Sequence, residues 1–204
     1  MSRGRFIAVE GGEGSGKTTC VRRLKEIVPS GSVVFTREPG GTPLAEEVRR
    51  ILLMSTEERS VRTEFLLFSA VRSEHLERVV ALALEQGIHV VTDRFDMSSW
   101  AYQVCRNGLL RKLFFDIREV WAGVVPDAYI YFDLSTEVGL SRRMTAGAEN
   151  TFDERSIEFH HKVGRGYREA RRLFSNVIAI NANLPQEEVQ QEFNETVFRI
   201  LGLA

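Results

Sequence analysis

The chain has 204 residues, 43% hydrophobic and 27% charged, with 27 Lys and Arg against 28 Asp and Glu and a formal net charge of −1. That supplies the core of one packed domain spanning residues 1–204, and the balanced charge argues against a dedicated nucleic-acid surface. No apolar run approaches the roughly 20 residues of a membrane span, Met1 to Arg5 lack the apolar core of a secretory leader, and Cys20 and Cys105 read as reduced thiols of a cytoplasmic protein.

The first apolar run, Phe6 to Val9, reads as a strand. Gly11-Gly12-Glu13-Gly14-Ser15-Gly16-Lys17-Thr18-Thr19 follows, and a helical pattern runs from Thr19 to Val28. Strand, glycine-rich loop and helix in this order make a P-loop. Glycines let successive N–H groups curl around phosphate oxygens, and the helix aims its positive dipole end at the same place. Lys17 adds an ammonium, and the Thr18 hydroxyl can hold Mg2+.

Val33 to Phe35 is the second strand, and it runs into Thr36-Arg37-Glu38-Pro39-Gly40-Gly41-Thr42-Pro43. In isolation this is a solvated turn. One strand from a P-loop, Arg37 can meet phosphate and Glu38 can hold water or magnesium. Helical patterns cover Leu44 to Met54 and Arg62 to Gln86. In the second, Phe68 and Arg72 share a face. Phe68 can be core or can stack on a base, and an arginine on an apolar stripe points to a ligand.

Ile88 to Val91 is the third strand, ending in Thr92-Asp93-Arg94-Phe95. Asp93 can organise the magnesium shell and Arg94 can fork onto a phosphate. A structural ion pair is the alternative, and the P-loop beside it favours the functional reading. Met97 to Trp121 is helical, broken near Gly108, and carries Ser98, Ser99, Tyr102 and Gln103 close to the Asp-Arg pair. Ala128 to Phe132 and Val177 to Ile180 are the last strands. Glu137 to Phe174 is a long helical pattern, and Pro185 opens a helix reaching Leu201. Continuous apolar strands alternating with helices specify a parallel α/β sheet covered on both faces. Ligands on such sheets sit beyond the C-terminal strand ends.

Five segments resemble the thymidylate kinase family: residues 11–19, Thr-Arg-Glu-Pro-Gly-Gly-Thr at 36–42, Leu-Phe-Ser-Ala-Val-Arg at 67–72, Asp-Arg-Phe with the later Ala-Tyr-Gln at 93–103, and Pro-Asp-Ala-Tyr-Ile-Tyr-Phe-Asp at 126–133. The resemblance implies a three-layer P-loop kinase fold, with a five-stranded parallel sheet in the order 2-3-1-4-5 and a mobile lid. It implies transfer of the ATP γ-phosphoryl group to dTMP for dTTP synthesis, with Mg2+, by a homodimer whose interface uses the helices around 62–86 and 97–121. Lys17 would bind the ATP phosphates and Glu13 the acceptor 3′-hydroxyl. Arg94, with Arg37, would hold the dTMP phosphate. Phe68 would stack on thymine, Arg72 reach its O4, Ser99 lie near the base, Tyr102 crowd the 2′ position and Pro39 shape the pocket. Asn181 and Ala182 resemble the adenine-side loop.

The lid, about 142–156, departs from the family pattern. Family members carry a catalytic arginine in the P-loop or the lid; this P-loop has none, and Ala146 and Thr151 align where lid arginines stand. Arg143 is the first substitute expected, then Arg142 and Arg155. Two other readings stay open: a kinase for another, modified deoxynucleotide, and a nucleotide-binding protein with an impaired lid.

Overall fold

The computed structural model describes residues 2–121, 123–146, 152 and 155–203. Strands β1 (Phe6–Gly11), β2 (Val33–Arg37), β3 (His89–Asp93), β4 (Ala128–Asp133) and β5 (Val177–Asn181) form one parallel sheet in the order β2-β3-β1-β4-β5. The helices are α1 (Lys17–Ile27), α2 (Pro43–Met54), α3 (Val61–His75), α4 (Ala81–Glu85), α5 (Asp96–Tyr102), α6 (Leu110–Val120), α7 (Thr136–Ala146), α8 (Ile157–Leu173) and α9 (Gln186–Leu201).

Strand periodicity assigns the two faces. On β1, Ile7 and Val9 point to the side covered by α1 and α9, where Leu24, Phe193 and Val197 are fully buried. Phe6 and Ala8 point the other way, into a larger cluster with Phe65, Trp100, Phe114 and Tyr167 from α3, α5, α6 and α8. Burying both faces explains why the strands are continuously apolar. The order places β1 and β3 side by side at the centre, so the P-loop after β1 and the Asp93-Arg94 pair after β3 emerge together.

Helix boundaries differ from the sequence pattern where caps decide them. The 62–86 pattern is one continuous rod, but Leu76–Val80 is a π-helical segment between α3 and α4. The 97–121 pattern breaks earlier than Gly108, through a 3₁₀ turn at Val104–Arg106. The 137–174 pattern divides, because the Ser156 hydroxyl accepts from Phe159 N–H and starts α8 afresh. α1 begins two residues earlier than the apolar pattern, at Lys17. The Thr42 hydroxyl caps α2 with Pro43 at its first turn.

Candidate active site

A cavity of about 590 Å³ lies over the C-terminal ends of β1, β2 and β3. Its lining joins the P-loop residues Glu13 to Thr19 with Arg37, Glu38, Pro39, Phe68, Arg72, Asp93, Arg94, Ser98, Ser99, Tyr102 and Gln103. Nearly every residue expected at the site therefore converges on one space, although the residues come from four separate stretches of chain. Gly11, the last residue of β1, and Gly12 do not line the cavity.

The P-loop has little room for other residues. Gly14 has φ +68°, and a Cβ there would collide with the Gly139 carbonyl oxygen. A Cβ on Gly139 would in turn meet the Glu13 carbonyl. α7 is thereby seated directly on the loop. Lys17 Nζ donates to the Gly12 carbonyl at 3.2 Å. Burial, then repulsion from Arg94, pushes its ammonium below the ordinary lysine range.

Thr18 Oγ1 donates to Asp93 Oδ2 at 2.6 Å. The other Asp93 oxygen is buried with no hydrogen-bond partner among the described residues. A buried orphan acceptor invites an ion or water. Magnesium takes one or two protein oxygens plus phosphate and water, not an all-protein cage, so the Thr18–Asp93 pair fits it. Among the described residues no cluster of three or more His, Cys, Asp or Glu side chains competes as a metal site.

Arg94 and Glu13 form the cavity's central pair. Arg94 Nη2 reaches Glu13 Oε1 at 2.6 Å, and the Tyr102 hydroxyl donates to the same oxygen at 2.7 Å. Arg94 Nη1 donates to Gly11 O, Tyr167 OH and Ser98 Oγ at 3.1, 3.0 and 3.4 Å. Burial alone would raise the Glu13 carboxyl. Arg94, Lys17, the Tyr102 hydrogen bond and Arg143 outweigh it and hold the pKa at about 2. The Arg143 contribution places that guanidinium's charge near the P-loop.

Arg72 is buried, with Nε on Glu38 Oε2 at 2.6 Å, Nη1 on Ser99 Oγ at 3.0 Å and Nη2 on the Phe95 carbonyl at 3.0 Å. Its plane lies over the rings of Phe95 and Trp121. Glu38 Oε1 bonds His75 Nδ1 at 2.9 Å, and His75 Nε2 bonds Thr36 Oγ1 at 2.8 Å. The Glu38 carboxylate thus serves Arg72 and His75 instead of the water or magnesium expected of it. Gln103 is buried with its Nε2 unpartnered among the described residues, a donor available at the cavity wall. Phe68 lines the wall opposite, with Phe152 at 6.3 Å between ring centroids.

Other expected residues sit differently. Arg37 is half-exposed and forks onto Glu46 at 3.1 Å. Ser98 lines the cavity, but its hydroxyl donates to Glu10 at 2.6 Å. Asn181 and Ala182 do not line this cavity. Asn181 borders a second cleft beside Asp133, and the buried Ala182 accepts from Arg142 Nη1 at 3.0 Å through its carbonyl. Of the three candidate arginines, Arg142 and Arg143 line the cavity from α7. Arg155 turns to Glu64 at 3.5 Å and to the faces of Phe152 and Phe159. Ala146 ends α7, and Thr151 lies outside the described residues.

Sequence reasoning missed Glu10, Tyr167, His75, Arg49 and Phe152. Glu10 had a readable signal: it follows Phe6 to Val9 without a break and continues the buried strand as a carboxylate. Arg49, Tyr167 and His75 lie on helical patterns where nothing in the spacing marks them. Arg49 reaches the Pro39 carbonyl at 2.7 Å and lines the cavity.

A family model described as thymidylate kinase matches residues 9–193. A protein of Symbiobacterium thermophilum named thymidylate kinase is 42% identical over 96% of this chain and 94% of its own length. Proteins of the same name from Hahella chejuensis and Caulobacter vibrioides are 39% and 38% identical. The first alignment covers 93% of this chain and 94% of the relative, and the second covers all of both.

Proposed function

This chain belongs to the thymidylate kinase family and transfers the γ-phosphoryl group of ATP to dTMP, and we propose the division of labour by which its residues do so. The observation that carries the assignment is the convergence, in one cavity, of a P-loop with a phosphate-type arginine and a base-sized wall of Phe68, Arg72, Ser99 and Gln103.

Lys17 and the P-loop amides bind the ATP phosphates, with Asn181 and Ala182 on the adenine side. Thr18 and Asp93 hold Mg2+, which supplies charge neutralisation on the transferring group. Arg94 grips the dTMP phosphate, assisted by Arg37, and Glu13 accepts from the acceptor 3′-hydroxyl. Thymine lies on Phe68, against Pro39, with Arg72 on its O4 and Ser99 and Gln103 beside it. Tyr102, tied to Glu13, closes the space a 2′-hydroxyl would need. The acceptor phosphate oxygen is ionised near neutral pH, so in-line attack on the γ-phosphorus needs no strong base. ADP leaves with the bridging oxygen's electron pair, and positioning and charge supply the rate. Arg143 stands on α7 where it can meet the transferring group.

This reading takes the 204 residues as one kinase domain with a lid at about 142–156, of which 147–151, 153 and 154 lie outside the described residues. It also takes the protein as a cytoplasmic homodimer without nucleic-acid partners. Exposed Leu66 on α3 and Phe115 and Val120 on α6 support the pairing, and light scattering at micromolar concentration tests it. No helix among the described residues is long and apolar enough to cross a membrane. A coupled ADP-release assay with dTMP, dUMP, dCMP and 5-substituted dUMP analogues tests the substrate. The highest kcat/KM belongs to dTMP; turnover of an analogue with dTMP inert would replace it, and binding of both substrates without turnover would mark an impaired lid.

A further inference from the structure

We infer that Glu10, a carboxylate beneath the cavity floor, is a positioning residue that sets Arg94 for the acceptor phosphate. Strand alternation puts Glu10 on the face of Phe6 and Ala8, under α5 and α8, where an apolar side chain would otherwise go. It is fully buried. A buried carboxylate is costly unless its lone pairs are engaged, and here both oxygens are.

Oε1 accepts from the backbone N–H groups of Phe95 and Ser98 at 2.8 and 3.2 Å. α5 has no side-chain cap of its own at Phe95, so β1 supplies one from outside the helix. Oε2 accepts from the hydroxyls of Ser98 at 2.6 Å and Tyr167 at 3.3 Å. Those two hydroxyls are 2.8 Å apart, and both take Arg94 Nη1. Glu10 therefore reaches the Arg94 guanidinium through two oriented hydroxyls.

It also holds the Arg94 backbone. Arg94 has φ +74°, in the left-handed region that a side-chain-bearing residue enters only when its surroundings force it. The surroundings are consecutive residues of β1: Arg94 N–H donates to the Val9 carbonyl at 2.9 Å, and the next N–H, of Phe95, donates to Glu10. Releasing the second tether frees the strained residue and its side chain together.

The inference rests on Arg94 gripping the acceptor phosphate, so the experiment separates the two. Native protein, Arg94→Ala, Glu10→Gln, Ser98→Ala and Tyr167→Phe are each titrated with dTMP, and with thymidine as a competitive inhibitor that lacks the phosphate. Glu10→Gln is expected to weaken dTMP binding by about tenfold while leaving the thymidine inhibition constant and the ATP KM within about twofold. A purely structural role would loosen dTMP and thymidine alike, and that result overturns the inference. If Arg94→Ala loses the phosphate-dependent affinity but Glu10→Gln, Ser98→Ala and Tyr167→Phe keep it, Glu10 is not a positioning residue. If Arg94→Ala keeps it too, the reading of Arg94 fails first and the inference falls with it. Should Glu10→Gln not fold, Ser98→Ala and Tyr167→Phe cut the same links, and a selective loss of dTMP in both upholds the inference.

Discussion

On the acceptor side of the cavity, Arg72 is 2% exposed and each of its nitrogens has a partner in Glu38, Ser99 or Phe95. On the donor side, Arg142 reaches one backbone carbonyl from the last turns of α7, beside Arg143. The acceptor wall is wired before any substrate arrives, through a buried chain from Thr36 through His75 and Glu38 to Arg72. The donor wall has its loop fixed by the Gly14–Gly139 contact, and Arg142 and Arg143 join its lining from α7. A site that selects a base benefits from donors that cannot re-aim. A site that neutralises charge during transfer needs a cation beside the transferring group.

Removing the donor-side cation gives the largest expected effect. Arg143→Ala is expected to lower kcat on the order of 10³-fold with dTMP affinity unchanged, as for a lost arginine finger. If kcat holds, the role passes to Arg142, since Arg155 faces Glu64. On the acceptor side, Glu38→Ala leaves Arg72 buried without its counter-charge. Urea unfolding is expected to show a loss of about 3–5 kcal/mol, and a milder loss would mean that the wall is less rigidly wired than its geometry indicates. Arg94→Ala, between the two walls, is expected to cut kcat/KM for dTMP by roughly 10²–10³-fold. Near-native kinetics there would remove Arg94 from the acceptor site. Arg142→Ala tests the asymmetry from the other direction: the ATP KM rises by about tenfold, because a single charge-assisted hydrogen bond to a backbone carbonyl is at stake, while the dTMP KM stays put.

The smallest effect is a pH signature of the two carboxylates flanking the start of the P-loop. Glu13 is held at about 2, below its ordinary 4.5, so its contribution to stability is present above pH 4.5 and is lost as pH falls through 2. Against Glu13→Gln, native protein should lose roughly 1 kcal/mol between about pH 5 and 3.5. Glu10 has the opposite sign. Burial pushes it up to about 7, so its contribution is present below pH 4.5 and is lost as pH rises through 7. Denaturant midpoints of both glutamine variants across that range check the pair, and equal slopes would refute the difference in environment.

Much of this protein is local in the chain. The P-loop, the five apolar strands and the alternation of strand and helix are short-range patterns, and the parallel sheet with its site at the C-terminal strand ends follows from them. Lys17, Thr18, Asp93, Arg94, Phe68 and Arg72 could be singled out because they stand in the P-loop, at a strand end or on a helical stripe, and all six line one cavity. Helix ends were less readable, because the Ser156 cap and the 3₁₀ turn at Val104–Arg106 depend on a few atoms. What only the tertiary structure decided is who holds whom. Glu38 looked like a metal or water ligand until His75, 37 residues away, and Arg72 were seen to occupy it. Arg155 stood with Arg142 as a fallback for Arg143 until it was seen turned to Glu64. Glu10 could be marked as a carboxylate on a buried strand, but not for what it holds, because its partners, Phe95, Ser98 and Tyr167, lie 85 to 157 residues beyond it. Periodicity records which face a residue takes; which polar atoms meet on that face depends on how distant elements pack, and no spacing in the chain encodes that.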